Sequence, residues 1–85
     1  MLFRILTEDL NREAIKKIVS LRFPSATLLP GDGIWRGKEE KSLVIEIEAS
    51  KKSEKVVDKI AKEIKIINKQ KKVMIQLVRN CAKFI

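Results

Sequence analysis

The clearest pattern along the chain is an alternation of apolar and polar residues with a period of two, which is typical of a strand with one buried face. It is strongest where Leu43, Ile45 and Ile47 alternate with other residues. Turn-forming composition at Gly31–Gly33 predicts a break in the preceding strand, and Gly37–Glu40 is predicted to turn the chain again. The pattern predicts strands over 1–6, 26–36, 42–48 and 73–78.

Two segments have a helical period instead. The first is predicted from about Asp9 to Arg22, where Pro24 prevents continuation, and its N-terminal cap is expected from Thr7–Asp9 or Asn11. The second follows a cap at Ser50 or Ser53 and ends at 68–71. Its apolar stripe consists of Val56, Val57, Ile60, Ala61, Ile64 and Ile67.

The predicted order of elements is β-α-β-β-α-β, which indicates an α+β ferredoxin-like sandwich formed by one domain over residues 1–85. Right-handed crossovers place strands 1 and 3 in the middle of an antiparallel four-stranded sheet with order 4-1-3-2. Both helices then cover one face of this sheet. The residues expected to face them are Phe3, Ile5, Leu43, Ile45, Ile47, Val73, Ile75 and Leu77.

The other face of the predicted sheet carries aliphatic side chains that are too apolar to leave bare if they are contiguous. They are Leu2, Leu6, Val44, Met74 and Val78. Contact with a second copy is the simplest way to cover them, so the sequence favours a homodimer over a monomer with scattered exposed aliphatics. Arg4 and Glu46 lie on neighbouring central strands of the same face and are expected to pair.

The formal net charge of +8 lies in the second part of the chain. Residues 1–50 contain eight Lys/Arg and eight Asp/Glu, whereas residues 51–85 contain eleven Lys/Arg and three Asp/Glu. A stripe along helix 2 and just beyond it is a candidate non-sequence-specific nucleic-acid-binding surface; the alternative is a solvated helix face. The stripe consists of Lys52, Lys55, Lys59, Lys62, Lys69, Lys71 and Lys72.

Trp35 is the only tryptophan and has two interpretations. Either its ring covers one end of the core, which the sequence favours, or it is an exposed platform for a ligand or partner, together with Arg36 and Lys38. The neighbouring glycines do not form a phosphate-binding loop. Their spacing is wrong, and Glu39 stands where that loop needs a hydroxyl.

The composition argues against most catalytic chemistry. The chain has no histidine and a single cysteine, Cys81, so Ser-His and Cys-His pairs are excluded, and we predict no cofactor, metal or catalytic residue. Glu46 and Glu48 share one strand face, but salt bridges explain them more simply than acid–base catalysis does. No apolar run is long enough to span a bilayer and no signal peptide is evident, so the expected location is the cytoplasm.

Scattered residues over about 21–85 resemble a family of small bacterial proteins of unknown function with a ferredoxin-like sandwich, similar members of which occur on phages and plasmids. They are Leu21–Pro24, Thr27, Leu28, Gly33–Arg36, Glu40–Ser42, Gln70, Cys81 and Phe84. The resemblance implies the fold and a mobile-element origin, and it supplies no activity. Many members of that family are exported, and because this chain has no evident signal peptide their location does not carry over.

The sequence therefore supports three functional hypotheses in a set order. The first is a small binding module that self-associates through its sheet. The second is a nucleic-acid-binding protein that uses the lysines of helix 2. The third is an enzyme or small-ligand protein with a site near Trp35 and the acidic hairpin.

Overall fold

The computed structural model describes residues 1–79 and shows one four-stranded antiparallel sheet with two helices. The elements in chain order are β1 (Leu2–Glu8), α1 (Arg12–Ser20), β2 (Thr27–Trp35), β3 (Lys38–Glu48), a short 3-10 helix (Lys51–Ser53), α2 (Glu54–Ile67) and β4 (Met74–Val78). The strand order is β2-β3-β1-β4, with β1 and β3 in the middle. This confirms the predicted fold class and strand order.

The core lies between the helices and one face of the two central strands. Phe3, Ile5, Leu43, Ile45 and Ile47 are fully buried there, as the alternation predicted. Each such side chain contributes roughly 1.5–3 kcal/mol through its removal from water. The helices add Ile15, Val19, Val57, Ile60, Ala61 and Ile64. Val73 and Ile75 pack partly buried against this core, whereas Leu77 is exposed because β4 is an edge strand.

The predicted break in β2 is wrong. Pairing with β3 continues through the glycines, with Gly31 opposite Ser42 and Gly33 opposite Glu40. Pro30 is tolerated because β2 is an edge strand, where a missing backbone N–H costs no ladder hydrogen bond on the solvent side. A strand with turn-like composition therefore stays regular.

The turn of this hairpin also differs from the prediction. It consists of Arg36 and Gly37, with φ of 50° and 78°, and Trp35 pairs directly with Lys38. Positive φ at both central residues is the geometry of a type I′ turn, whose twist matches that of the flanking strands. The residues predicted to turn, Lys38–Glu40, belong to β3.

The cap positions predicted at Asn11 and Ser53 are confirmed, whereas neither side chain makes the expected capping hydrogen bond. Asp9 and Leu10 precede α1, and Asn11 occupies the N-cap position with φ of 54° and makes no side-chain cap hydrogen bond. Its amide instead donates to the end of α2, to the carbonyl oxygen of Ile67 at 3.2 Å. Ser53 is the N-cap of α2, and it too makes no side-chain cap hydrogen bond. No helix within residues 1–79 is long and apolar enough to cross a membrane.

Candidate functional site

The β2–β3 hairpin projects beyond the rest of the sheet and carries Trp35 at its tip. β1 ends at Glu8, opposite Ser42, so the part of the hairpin beyond this pair has no β1 neighbour. The side chain of Trp35 is 62% exposed, and the Arg36 guanidinium lies 5.4 Å from its ring centroid, a cation–π distance. The interpretation of Trp35 as a core residue is therefore wrong.

The exposed ring of Trp35 lines a groove of about 690 Å³, called here the Trp35 groove. Leu6 and Met74, from neighbouring strands, are its apolar lining residues. One wall is the hairpin, with Trp35 and Glu40, and the opposite wall is the loop 69–72 that leads into β4. The groove is therefore formed by elements from both ends of the chain, and its volume lies in the range of small-molecule sites.

A buried polar network holds the loop wall of the groove in place. The amide of Asn68, which is 7% exposed, donates to Gln70 Oε1 at 3.0 Å and to Thr7 Oγ1 at 3.3 Å. Its own oxygen accepts from Asn11 Nδ2 at 3.0 Å. The hydroxyl of Thr7 donates to Gln70 Oε1, and Gln70 Nε2 donates to the carbonyl oxygen of Lys72 at 3.2 Å. A fully satisfied network of this kind fixes a single loop geometry.

The charges in the groove are unevenly balanced. Lys41 is engaged, because its ammonium donates to Asp32 at 2.8 Å, and this hydrogen bond, with the charge of Asp32, raises the pKa of Lys41. By contrast, Lys69, Lys71 and Lys72 form no ion pair within residues 1–79. Two carboxylates, Glu8 and Glu40, also line the groove. The groove thus offers three unpaired ammonium groups beside two acceptors.

The residues predicted for the dimer face are all on the helix-free face of the sheet, but they form two groups. Leu6 lies opposite both Val44 and Met74, and Val44 lies opposite Leu29, so these four residues form one row across all four strands. Met74 and Leu29 are 57% and 44% exposed. We call this the apolar row. Sequence reasoning missed Leu29, because only the pairing register reveals its neighbours.

A polar row separates the remaining two dimer-face residues from the apolar row. Leu2 and Val78 lie opposite each other near the other end of the sheet. Between the two groups, Arg4 Nε donates to Glu46 Oε2 at 2.8 Å, which confirms the predicted ion pair. Glu48 accepts from the amino group of Met1 at 3.0 Å. Both glutamates considered for acid–base work therefore have ion-pair partners.

The predicted lysine stripe is exposed along its whole length. None of its seven lysines forms an ion pair within the described part of the chain. The structure adds Lys65, which lines a second groove, of about 500 Å³, between α2 and β4 together with Lys62, Lys71 and Lys72. Lysines of the helix and of the following loop therefore meet at one surface, and of the four lysines in this groove only Lys65 is absent from the predicted stripe.

Among the described residues, no group of three or more His, Cys, Asp and Glu side chains is placed to hold a metal ion. Cys81, the single cysteine of the sequence, lies outside the described residues.

Comparison with solved structures shows the fold in other proteins. A phage SAM lyase in its apo state has a TM-score of 0.66 and 21% identity, and the match covers 87% of this chain and 75% of that chain. A protein of unknown function from Pediococcus pentosaceus has a TM-score of 0.60 and 15% identity, over 98% and 95% of the two chains. At these identities the likeness shows the fold alone. It agrees with the coarser part of the resemblance, a small fold shared by phage and bacterial proteins.

Neither a family model nor a curated protein matches the chain.

Proposed function

We propose that the protein is a small binding module that works as a homodimer joined through the helix-free face of its sheet. The apolar row is the observation that carries this proposal. Its four side chains run across every strand of the sheet, and Met74 and Leu29 at its ends are about half exposed. A two-fold contact would place the rows of two copies against each other and remove them from water.

The test is the mass in solution, measured by light scattering or sedimentation equilibrium over a range of protein concentrations. One chain has a mass of 9.8 kDa, and we expect twice that mass at high and low salt alike. The double variant Leu29→Lys/Met74→Lys places like charges in a self-facing contact and should be monomeric. The matched control is Ile34→Lys, because Ile34 is 77% exposed on the opposite face of the same hairpin and its change should leave the dimer intact.

A monomer at all concentrations would contradict the proposal. So would a dimer that persists in the Leu29→Lys/Met74→Lys variant or that dissociates equally in the Ile34→Lys control. Circular dichroism of each variant establishes that it is folded before its mass is interpreted.

We propose nucleic-acid binding through the lysines of α2 as the second candidate function. The supporting observation is that the stripe is exposed and without ion pairs in the described part of the chain, while Lys16 and Lys41 elsewhere are paired at 3.1 and 2.8 Å. Phosphate contacts by such lysines release counterions. The logarithm of the association constant should therefore fall linearly with the logarithm of the salt concentration. No sequence preference is expected, because the contacts reach only the backbone.

Charge reversal tests this candidate. Lys55, Lys59 and Lys62 are changed to glutamate, and binding of a labelled duplex is followed by anisotropy across a salt series. A control with the same net charge reverses Lys16, Lys17 and Lys38. We expect binding to be abolished in the first variant and retained in the second. Equal loss in both would mean that net charge alone attracts the nucleic acid, and unchanged binding in the first would remove the stripe as a site.

One comparison adds a small molecule to the ligands worth testing. A phage SAM lyase shares the fold, and this likeness does not carry the lyase reaction to a chain with 21% identity. It does make SAM (S-adenosylmethionine) a reasonable probe for the small-ligand hypothesis, because Trp35 is exposed in a groove of ligand size.

A further inference from the structure

The Trp35 groove combines an aromatic ring, hydroxyl and carboxylate acceptors, and cations that have no ion pair in the described part of the chain. Trp35 offers a face on which a planar ring can stack, and such stacking tolerates any base. The loop wall offers the ammonium groups of Lys69, Lys71 and Lys72. Few ligand classes need all of these groups at once.

We propose that the Trp35 groove binds a nucleoside that carries an anionic group on its 5′ substituent. The base stacks on Trp35, and the anionic group lies against the ammonium groups of Lys71 and Lys72. Glu40 and Ser42, at the hairpin wall, accept or share hydrogen bonds from ribose hydroxyls. The anionic group can be the phosphate of a nucleotide or the carboxylate of an amino-acid substituent, as in SAM.

Charge favours this assignment over a neutral ligand. With Lys41 held by Asp32, three ammonium groups without an ion pair in residues 1–79 face two carboxylates, so a nucleoside without an anionic group would leave lysine charge uncompensated. Apolar contact from Leu6 and Met74 at the base of the groove favours a ligand with a hydrophobic body rather than phosphate alone.

Rigidity of the loop wall supports a preformed site. Gln70 is held by Thr7 and Asn68, and its amide in turn holds the carbonyl of Lys72, so the backbone of the loop is fixed before a ligand arrives. Binding to such a wall avoids part of the entropy cost of ordering a loop. All residues that line the groove belong to one chain, so this inference goes beyond the proposed dimer and does not require it. Leu6 and Met74 also belong to the apolar row, so a ligand in the groove and a second copy would compete for this face.

The experiment uses the single tryptophan as its reporter. The chain has one tryptophan and no tyrosine, so quenching of its emission reports contact at Trp35 itself. The probes are AMP, SAM, adenosine and inorganic phosphate, each also titrated calorimetrically. We expect AMP to quench and to bind at least about tenfold more tightly than adenosine or phosphate, because its phosphate adds charge-assisted hydrogen bonds to the stacking of its base. Comparing AMP with SAM distinguishes a phosphate from a carboxylate source.

Two pairs of variants locate the site by calorimetry. Trp35→Ala should weaken binding about tenfold, in line with base–aromatic stacking, while Ile34→Ala on the opposite face should not. Lys71→Ala/Lys72→Ala should weaken it by a similar factor, while Lys55→Ala/Lys59→Ala on the outer helix should not. Titrations at protein concentrations below and above the midpoint of dimer formation separate ligand binding from self-association.

Three outcomes would overturn the proposal. The first is that neither AMP nor SAM binds. The second is that phosphate binds as tightly as AMP, which would make the groove a simple anion site. The third is that binding is unchanged in Trp35→Ala or is lost equally in the control pair.

Discussion

Asn68 is the residue whose removal should reveal most about how this small fold is held together. It lies at the C-terminus of α2 and joins β1, the N-terminus of α1 and the loop before β4 through its side-chain amide. Its side chain is almost completely buried, so water cannot replace the lost partners in the folded state. We predict that Asn68→Ala strongly destabilises the protein.

The magnitude follows from the geometry. The hydrogen bonds from Asn11 and to Gln70, both 3.0 Å long, contribute about 1 kcal/mol each, and the cavity left by truncation costs about 1 kcal/mol more. The longer contacts to Thr7 and Glu8 are partly compensated, because Thr7 still donates to Gln70. The free energy of unfolding should therefore fall by roughly 3 kcal/mol, a large share of the 5–15 kcal/mol typical of a domain.

The assay is urea unfolding followed by far-ultraviolet circular dichroism. Tryptophan fluorescence is a poor probe here, because the exposed Trp35 has little burial to lose. Gln76→Ala is the matched control: Gln76 is an exposed amide on β4 with no side-chain hydrogen bond in the described residues, and its loss should change stability by less than about 0.5 kcal/mol. The isosteric Asn68→Asp keeps the acceptor and removes the donors, so it should be at least as destabilised as Asn68→Ala. A loss below about 1 kcal/mol for Asn68→Ala, or one equal to the control, would refute this reasoning.

Three further predictions concern stability and use the same unfolding assay. Trp35→Ala should lower the free energy of unfolding by less than about 1 kcal/mol, as for other exposed residues. A loss of about 3 kcal/mol would show instead that Trp35 is part of the core. Gly37→Ala should lower the free energy of unfolding by about 1 kcal/mol, because φ at Gly37 is 78°. Gly33→Ala should be neutral or slightly stabilising, because a Cβ added there meets only ordinary contacts, from 3.7 Å. Equal effects of the two changes would contradict the turn geometry. Arg22 binds Glu63 through two hydrogen bonds of 2.9 Å, so Arg22→Lys should lower the free energy of unfolding by about 0.5–1 kcal/mol. The same change should have no effect in a protein that already carries Glu63→Gln. A loss of stability that persists there would mean that Arg22 acts through packing.

The fold was predictable because the repeat of apolar residues in each strand is visible from neighbouring positions in the sequence. Phe3 and Ile5, like Leu43 and Ile45, alternate along one strand each, and every buried side chain of the central strands is visible as a two-residue repeat. The order of the strands then follows from general rules on connections. Neither step requires knowledge of a distant partner.

The errors arose where a residue's environment depends on a distant segment. Pro30 and its neighbouring glycines have turn composition, but the strand is an edge strand paired along its full length, which depends on residues 38–46. Trp35 is exposed because β1 stops at Glu8, well short of the hairpin tip. Local sequence does not contain the relative lengths of paired strands, so a lone tryptophan was assigned to the core.

The candidate site was only partly visible for the same reason. Trp35 was singled out, and so were Lys69, Lys71 and Lys72, but as members of separate surfaces. Their meeting in one groove depends on the loop geometry that Asn68 and its partners fix. Thr7 and Gln70 are 63 residues apart, and each taken alone suggested a helix boundary rather than a shared network.

If the network positions the groove, stability and ligand binding must be linked through Asn68. The Asn68→Ala variant, measured where circular dichroism shows it to be folded, should bind AMP or SAM several-fold more weakly than the parent. The reason is that Gln70 would lose one of its two side-chain donors, so the Lys72 carbonyl and the ammonium groups around it would be held less firmly before binding. Gln76 lies on the same sheet face but does not line the groove, so the Gln76→Ala variant should bind the ligand with the affinity of the parent. Equal affinity in Asn68→Ala and the parent would mean that the loop is ordered by the ligand, and that the network serves the fold alone.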